Sequence, residues 1–345
     1  MANRYAATCI SGLQELIEQA LRRQLPQMRA VCRLDGLIIF ETDTDLEALP
    51  DLRYINNLFS VIQTFDGPRE SAMRRMLEAV ARSGRIGGPR RSPARTFRVI
   101  ASDEGRTVAV DDGLLRGVES VISKSRRLKV SRARPDLEFW LLRRREGLGL
   151  FLERLTRHKT FDKSLEKGEL RPDLANALCL MSDPGPDDVF LDPFCGHGAI
   201  PLERARAAPF KLMFATDADA DAVKKLRRKV KATGRKRLIR SIIAKRTDAL
   251  ELTGFDDGFI TKIVTDPPWG AYADVAMGLG PFYARMLRTF HRVLAPRGIA
   301  VVLTAAREQF DAEISGLADR FERRKVYNLL VSGKKAGAYV LRKRA

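Results

Sequence analysis

Histidine and cysteine are scarce in this sequence, with three histidines and four cysteines among 345 residues. The cysteines, at positions 9, 32, 179 and 195, form no Cys-x-x-Cys pair. We therefore expect neither a disulfide framework nor a Cys/His metal site. No metal is expected in the chemistry, and the thiols are expected to be reduced.

Long apolar runs are also missing. The aliphatic stretches are short, such as Leu37–Ile39, whereas a membrane-spanning helix needs about 18 consecutive apolar residues. The first 26 residues lack the basic-then-apolar order of a signal peptide. The sequence therefore predicts a cytoplasmic protein that does not contact a membrane.

Acidic residues are too few to balance the basic ones. There are 62 Lys and Arg against 43 Asp and Glu, a net charge of +19. By segment the net charge is −2 over residues 1–65, +9 over 66–185 and +12 over 186–345. The 45% hydrophobic content is that of a globular protein. A positive field of this size favours a polyanionic partner, with nucleic acid ahead of an anionic membrane surface.

Changes of pattern along the chain predict four segments. Residues 1–65 contain a helical period over 12–25 and a short strand over 37–40, and are expected to form a small α+β domain. Residues 66–155 contain strand candidates over 96–101 and 107–110 and a hairpin over 138–142 and 148–152. Residues 156–185 are expected to link this part to the rest through a helix over 172–181. A Ser-Asp-Pro-Gly-Pro breaker at 182–186 then precedes the last domain, 186–345.

This last domain alternates strands and helices. The predicted strands are 189–191, 212–215, 239–243, 263–265 and 299–303, and the predicted helices are 199–208, 220–232 and 282–294. Such βαβ order predicts an α/β fold with a mostly parallel sheet and ligands at the carboxyl ends of its strands. The chain closes with strands over 325–331 and 338–341 around a Gly333–Gly337 loop, which predicts an antiparallel hairpin.

The first chemical motif is Asp192-Pro-Phe-Cys-Gly-His-Gly198, directly after a predicted strand. Its glycines allow the backbone to approach a ligand closely. The spacing is not Gly-x-Gly-x-x-Gly, and no Gly-Lys-Ser or Gly-Lys-Thr follows, so neither a dinucleotide site nor a P-loop is supported. His197 is more typical of a packing or capping residue than of a catalyst.

Aspartates follow four of the predicted strands, at positions 192, 217, 248 and 266. The carboxyl ends of parallel strands share one edge of a sheet, so these side chains are expected to meet there. An acidic edge suits a cofactor that carries an adenosine and a positive charge, and it repels the phosphates of a dinucleotide. Asp217, 19 residues after Gly198, is at the place where a carboxylate can bind ribose hydroxyls.

The second motif is Asp266-Pro-Pro-Trp-Gly270. Two prolines hold φ near −65° and remove two backbone donors, which leaves carbonyls and the Asp266 carboxylate as acceptors. Trp269 offers a planar face beside them. The motif therefore predicts a site for a planar group that carries an NH2.

Together the two motifs resemble those of class I S-adenosylmethionine-dependent methyltransferases acting on the exocyclic amines of bases. More narrowly, the chain resembles the THUMP-containing RNA guanine-N2 methyltransferases that modify tRNA. The segments Tyr5–Leu16, Thr96–Val99, Pro135–Leu152 and Leu170–Ala175 are similar to other parts of that family. The resemblance implies a Rossmann-like class I methyltransferase sheet with a C-terminal antiparallel hairpin. A ferredoxin-like N-terminal α+β domain (1–65) and a THUMP-like RNA-binding domain (66–155) would precede it.

The resemblance also implies residue roles. S-adenosylmethionine would be the cofactor, with Asp217 at its ribose and Asp248 at its adenine amine. Its methionine end would be held by Asp192, Pro193, Cys195, Gly196 and Gly198, and Asp266 would also contact it. The target base would be held by Asp266, Pro267, Pro268 and Trp269. His197, Ala199 and Trp269 depart from the residues usual in the family.

Two alternatives stay open. Asp-Pro-Pro-Trp also occurs in adenine-N6 methyltransferases of rRNA or DNA, so the base could be adenine. The chain could also be an RNA-binding protein with a degenerate methyltransferase domain, although its motifs are intact.

Three basic runs contain no acid: Arg82–Arg98, Lys124–Arg134 and Lys224–Arg246. Such runs favour phosphate contacts, here with RNA and most of all with tRNA. The expected RNA-binding residues are Arg90, Arg91, Arg126, Arg127, Lys129 and Arg132. The protein is expected to be a monomer.

Overall fold

The computed structural model describes residues 3–44, 52–87, 94–156, 169–270 and 276–344. It divides into two compact units. The first comprises Met1–Thr8, Leu21–Asp51 and Ile55–Lys159, and the second comprises Cys9–Ala20, Leu52–Tyr54 and Thr160–Ala345. Two short segments of the N-terminal part of the sequence thus belong to the C-terminal unit.

The first unit is built on one nine-stranded sheet. Its strands are β1 (Asn3–Thr8), β2 (Arg29–Leu34), β3 (Leu37–Thr42), β4 (Asn57–Asp66), β5 (Thr96–Asp103), β6 (Arg106–Thr107), β7 (Lys129–Val130), β8 (Leu137–Arg143) and β9 (Leu148–Arg154). The order is β2-β3-β1-β4-β9-β8-β5-β6, with β7 also paired to β5. The antiparallel pairing of β4 with β9 joins the strands before residue 66 to those after it, so the sheet continues past the predicted boundary at 65.

The described residues before 157 form three helices: α1 (Gln14–Gln24), α2 (Met73–Arg82) and α3 (Asp112–Arg126). The side chain of Asp111 caps α3 by accepting a hydrogen bond from the Leu114 N–H at 2.8 Å. The apolar faces of α2 and α3 pack on the sheet over buried Phe97, Phe139 and Phe151. The predicted hairpin of β8 and β9 is confirmed.

The second unit is built on a seven-stranded sheet. Its strands are β10 (Val189–Asp192), β11 (Leu212–Asp217), β12 (Ile242–Arg246), β13 (Ile260–Thr265), β14 (Leu294–Thr304), β15 (Phe321–Val331) and β16 (Lys334–Lys343). The order is β12-β11-β10-β13-β14-β16-β15, parallel through β14, with β16 antiparallel to both neighbours. The predicted α/β fold with a C-terminal antiparallel hairpin is therefore confirmed.

Six helices belong to the described part of the second unit: α4 (Pro172–Met181), α5 (Ala199–Ala207), α6 (Ala220–Ala232), α7 (Lys236–Ser241), α8 (Leu279–Val293) and α9 (Arg307–Ser315). Pro172 at the first turn fits the start of α4 because its missing N–H has no intrahelical partner there. The core contains Tyr283, Phe290 and Phe310 beneath the central strands.

Two local predictions in this unit are wrong. Residues 239–241 were expected to be strand but close the short helix α7, in which none of the residues is buried. The Gly333–Gly337 loop is a two-residue turn at Ser332 and Gly333, and residues 334–337 already pair in β16. Ala336 is fully buried, and this burial holds the segment in the sheet.

The segment 9–20 packs on β15 within the second unit. Gly12 has φ +86°, and a Cβ placed on it would lie 2.5 Å from the Asn328 carbonyl oxygen. The Lys325 ammonium donates to Glu15 at 2.7 Å. Because of the positive φ and the short distance to Asn328, only glycine at position 12 allows the backbone to approach β15 this closely.

In the parts of the chain that the structure describes, no helix combines the length and the apolar character needed to span a bilayer.

Candidate functional site

The strand-end aspartates meet at one edge of the second unit's sheet. Asp192 and Asp217 are the last residues of β10 and β11, and Asp266 directly follows β13. Asp248 comes two residues after β12. The strand order places them along the edge in the sequence 248, 217, 192, 266. The carboxyl ends of four adjacent strands thus supply four acids, as the sequence predicts.

Asp192 is the most deeply buried of these acids, with 1% of its surface exposed. One carboxylate oxygen accepts from the Thr265 hydroxyl at 2.8 Å and from the Phe194 N–H at 3.3 Å. The other, Oδ2, is buried and has no hydrogen-bond partner among the described residues. Burial raises the pKa of this carboxyl well above its usual range, and the charges of Asp217 and Asp266 raise it further.

The loop after β10 is tied to the end of β11. The Cys195 N–H donates to the Thr216 carbonyl at 2.9 Å, and the Gly196 N–H donates to Asp217 Oδ2 at 2.8 Å. Asp217 Oδ1 accepts from the Asp219 N–H at 2.9 Å. A carboxylate has about four acceptor positions, so Asp217 can still accept hydrogen bonds from hydroxyl groups.

The two glycines of this loop serve different purposes. Gly196 has φ +46°, and a Cβ added there would meet no atom within 4 Å, so the position borders open space. Gly198 has φ +91°, and its Cβ would lie 2.3 Å from Leu226 Cδ1 on α6. Gly196 therefore leaves room for a ligand, whereas Gly198 is required by the packing of the loop against α6.

The Cys195 side chain of this loop is unsuited to act as a nucleophile. Burial raises the pKa of the Cys195 thiol, and the charges of Asp192 and Asp217 raise it further, so a thiolate nucleophile is disfavoured. His197 Nε2 lies 3.4 Å from the Lys225 ammonium nitrogen. Pro193 is buried beside them.

A cavity of about 540 Å³ opens beside the second motif. Of the residues predicted from the two motifs and the strand ends, it is lined by Asp217, Asp266, Pro267, Pro268 and Trp269. The lining also includes residues that sequence reasoning did not place at the site: Ile10, Glu169, Leu170, Arg171, Leu174, Phe194, Leu330, Val331, Ser332 and Lys334. The second motif therefore faces a ligand-sized space.

Asp266 combines burial with an unused acceptor. Its Oδ1 is buried and lacks a hydrogen-bond partner among the described residues. Burial raises the pKa of this carboxyl from 3.8 to about 7, and the Trp269 side chain offsets part of the increase. A carboxyl that titrates near neutral pH is suited to exchange a proton or to accept a hydrogen bond from a ligand.

The second motif is anchored to the end of β14. The Tyr283 hydroxyl on α8 donates to the Pro268 carbonyl at 2.9 Å and lies 2.9 Å from the Thr304 hydroxyl. The Trp269 indole N–H donates to the Leu303 carbonyl at 3.1 Å. The Pro268 carbonyl, expected to be available to a ligand, is thus already used within the fold, and the edge of the Trp269 ring is held in place.

Asp248 lies apart from the cavity lining. It is exposed, and its Oδ1 accepts from the Leu250 N–H at 2.8 Å. It begins the turn that returns the chain from β12. A contact of Asp248 with adenine remains a prediction.

The expected RNA-binding residues differ in their surroundings. Arg126 is not available as expected: its side chain is 8% exposed and pairs with the fully buried Glu153 at 3.1 Å. Arg127, Lys129 and Arg132 are exposed at the end of α3 and beyond. Arg90 and Arg91 lie outside the described residues.

Eight of the ten missed lining residues lie in or just before α4 or at the hairpin tip, and the other two are Ile10 and Phe194. Leu170 and Arg171 directly precede α4, where only the Leu170–Ala175 resemblance was a signal. The hairpin tip, residues 330–334, carries no local motif, because its place at the cavity depends on how β15 and β16 add to the sheet. Within the described ranges, no cluster of three or more His, Cys, Asp or Glu side chains could hold a metal ion.

Comparisons with known proteins agree with this geometry. A crystal structure of TrmN from Thermus thermophilus superposes with a TM-score of 0.77 and 26% identity, covering 99% of both chains. A tRNA (guanine(6)-N2)-methyltransferase of T. thermophilus is 30% identical over 219 residues, 63% of this chain and 64% of that protein. The mouse tRNA (guanine(6)-N(2))-methyltransferase THUMP3 is 29% identical over 51% of this chain and 36% of that protein.

The chain thus spans less than two thirds of the length of these curated relatives. The family model for the RMKL-like methyltransferase domain matches residues 160–336. This match covers half of the chain and begins where the main segment of the second unit begins. The chain therefore belongs to the RMKL-like methyltransferase domain family.

Proposed function

We propose that this protein transfers a methyl group from S-adenosylmethionine to the exocyclic N2 amine of a guanosine in tRNA. The observation that carries the proposal is Asp266 Oδ1, a buried acceptor without a partner among the described residues, at a cavity that Trp269 also lines. The relatives named above act on guanine N2 of tRNA. The names of these relatives specify guanine 6 of tRNA, and we therefore take the guanosine at position 6 as the target.

The residues fit S-adenosylmethionine. Within the described chain, Asp192 Oδ2 and Asp266 Oδ1 are buried acceptors without partners, and such groups are costly unless a donor or a cation reaches them. Gly196 leaves open space where a side chain would otherwise stand. Asp192, Gly196 and Asp217 would hold the methionine end and the ribose, with Asp248 at the adenine amine. When bound, the cofactor supplies an activated methyl group on a positively charged sulfur.

The chain's own residues would orient the amine. Asp266 Oδ1 and the Pro267 carbonyl would accept hydrogen bonds from the NH2. This would favour a more pyramidal nitrogen, whose lone pair is less delocalised into the ring and more nucleophilic. The raised pKa of Asp266, about 7, also suits its Oδ1 to take the proton that the amine loses on methylation. Tyr283 and Trp269 would keep this loop in place. Alignment of this kind can contribute about 7–11 kcal/mol to a rate enhancement.

We also assign the first unit to RNA binding, as a THUMP-like module. Arg127, Lys129 and Arg132 are exposed, without a carboxylate partner among the described residues, and suit phosphate contacts. Arg126 is excluded from this role by its pairing with Glu153. The basic run over 224–246 would contribute phosphate contacts from the second unit.

The test is to methylate unmodified tRNA transcripts with labelled S-adenosylmethionine and to identify the product nucleoside by mass spectrometry. N2-methylguanosine in the wild-type reaction, and none with Asp266→Asn, is the expected result. Detection of N6-methyladenosine instead would mean that the target base is adenine and not guanine. Binding of RNA and cofactor without any methylated nucleoside would favour a degenerate, RNA-binding protein.

A further inference from the structure

The tip of the C-terminal hairpin forms one wall of the cavity that Asp266–Trp269 also lines. Val331 pairs with Lys334, which leaves Ser332 and Gly333 as a two-residue turn. Their φ angles are +48° and +80°, as in a type I′ turn, whose twist matches that of the flanking strands. The tip is therefore a short projection of defined shape.

Leu330 is the outward-facing residue next to this turn. It is 65% exposed, whereas the other exposed large hydrophobic residues in the described chain are 39–43% exposed. Its neighbour Leu329 is buried, so the alternation of the strand turns Leu330 away from the core. Leu330 nevertheless lines the cavity. A side chain that is both lining and largely exposed lies at the cavity mouth.

A guanine stacked in an RNA helix cannot reach a buried carboxylate. It must first leave the stack, and the unpaired and unstacked gap costs free energy. Proteins that hold nucleic acids in such states often place an apolar side chain, leucine among them, against the exposed bases. The mouth of the cavity is where this gap would be.

We infer that Leu330 enters the gap left by the target guanosine and packs against the bases on either side of it. The inference rests on the proposed function and makes Leu330 a positioning residue, which acts by stabilising the flipped-out nucleotide. Lys334 lines the same cavity, and its charge suits a phosphate that flanks the target.

The test uses the full chain and a tRNA transcript with 2-aminopurine at the target position, whose fluorescence rises when the base leaves the stack. Wild-type protein with S-adenosylhomocysteine should raise the fluorescence. Leu330→Ala should abolish most of this increase and slow single-turnover methylation of unmodified tRNA about tenfold, with unchanged cofactor affinity. Val31→Ala, which truncates an exposed side chain of β2, should behave as wild type.

A second RNA separates positioning from a general loss of structure. A transcript without the nucleotide opposite the target has no base pair to open there, so Leu330→Ala should methylate it at close to the wild-type rate. Equal slowing on paired and unpaired targets would overturn the inference.

Failure of the inference and failure of the proposed function give different results. If wild-type protein methylates tRNA and Leu330→Ala matches it in rate and fluorescence, the inference alone is wrong. If wild-type protein methylates no guanosine, the proposed function is wrong.

Discussion

At the scale of single residues, the burial of Asp266 makes the stability of the protein depend on pH. Its pKa of about 7 means that the folded protein binds a proton there between roughly pH 4 and 7, whereas the unfolded chain does not. Stability therefore falls as pH rises through this window, and above pH 7 the folded protein bears the full cost of a buried charge. A shift of about three pKa units is worth at most about 4 kcal/mol.

We therefore predict that Asp266→Asn stabilises the protein without cofactor while it removes activity. The melting temperature should rise by several degrees at pH 8, where the carboxylate is charged, and hardly at all at pH 5. In wild-type protein, kcat/KM for tRNA should fall with decreasing pH below about 7, since kcat/KM reports the pKa values of the free enzyme. A gain in melting temperature that is equal at both pH values would contradict the role of charge burial.

Gly196 and Gly198 should respond differently to the same substitution. Alanine carries backbone strain at both positions, but at Gly196 its methyl group enters open space, so Gly196→Ala should fold and bind S-adenosylhomocysteine at least about tenfold more weakly, a loss of about 1.4 kcal/mol. Gly198→Ala directs its methyl group into Leu226 and should chiefly lower the melting temperature. Calorimetric titration and thermal melting of both variants check this. Equal cofactor affinity in wild type and Gly196→Ala would mean that Gly196 does not border the bound cofactor.

At the scale of elements, the Asp266–Trp269 loop depends on hydrogen bonds to other elements. Tyr283 lies on α8 and Thr304 ends β14, and neither stands near the motif in the sequence. Burial raises the pKa of the Tyr283 hydroxyl to about 12, so it stays a donor throughout the neutral range.

Tyr283→Phe is expected to leave the Pro268 carbonyl without its donor. The loop should loosen, and single-turnover methylation should slow about tenfold, because misplacement by a fraction of an ångström already weakens alignment. The dissociation constants of cofactor and tRNA, measured by calorimetry and filter binding, should change less than twofold. Tyr327→Phe on β15 serves as a control. A loss of cofactor affinity equal to the loss of rate would argue for a wider structural defect.

The segment after α3 offers a test of phosphate binding. Replacing Arg127, Lys129 and Arg132 by Gln should weaken tRNA binding and reduce the slope of log affinity against log salt by about 0.7–0.9 for each phosphate that is no longer neutralised. Arg126→Gln should instead lower the melting temperature, because it removes the ion pair that Arg126 makes with the fully buried Glu153. Arg74→Gln, on the exposed face of α2 beside Glu78, controls for the loss of a single exposed charge elsewhere. An unchanged slope in the triple variant would exclude these phosphate contacts.

Periodicity and turn residues are sufficient to predict those helices and strands whose bounds are set by neighbouring residues in the sequence. Helix α4 begins at Pro172 and α6 follows the capping Asp219, and both were predicted with their observed bounds. The carboxylates were predictable because parallel strands must end at one edge. Residues 239–241 resemble the start of a strand because isoleucine stands at 239, 242 and 243, although the basic side chains before them favour an exposed helical turn.

The rest of the site depends on long-range packing. The presence of Leu330 and Ile10 at the cavity follows from how distant segments meet, which no window of sequence records. The Pro268 carbonyl likewise accepts a hydrogen bond from Tyr283, fifteen residues away, so the motif by itself does not show that this acceptor is used within the fold. Arg126 could not be told from Arg127 by composition, because burial against Glu153 is a property of the folded sheet.

At the scale of the molecule, the second unit needs parts of the N-terminal sequence. Glu203 is 2% exposed, and Arg53 pairs with it at 2.9 Å. Ile10 lines the cavity, and Gly12 lies against β15. Residues 160–345 alone would lack all of the groups that residues 9–20 and 52–54 supply.

A pair of glycine variants isolates this docking. Gly12 and Gly67 have nearly the same φ, +86° and +89°, but a Cβ on Gly67 would meet nothing within 4 Å. Both changes to Ala carry the strain of a left-handed backbone, and only Gly12→Ala adds a clash with Asn328. Gly12→Ala should therefore lower the melting temperature and the methylation rate well beyond Gly67→Ala. Equal effects of the two variants would mean that the segment does not need its close approach to β15.

The contact between Gly12 and Asn328 also orders events during synthesis. The two residues are 316 positions apart, and at about 5–20 residues per second a ribosome needs roughly 15–60 s to pass from one to the other. For that time the segment 9–20 has emerged without its partner strand. The second unit therefore cannot be completed before residue 328 has been made, and until then its N-terminal segment lacks the strand on which it packs.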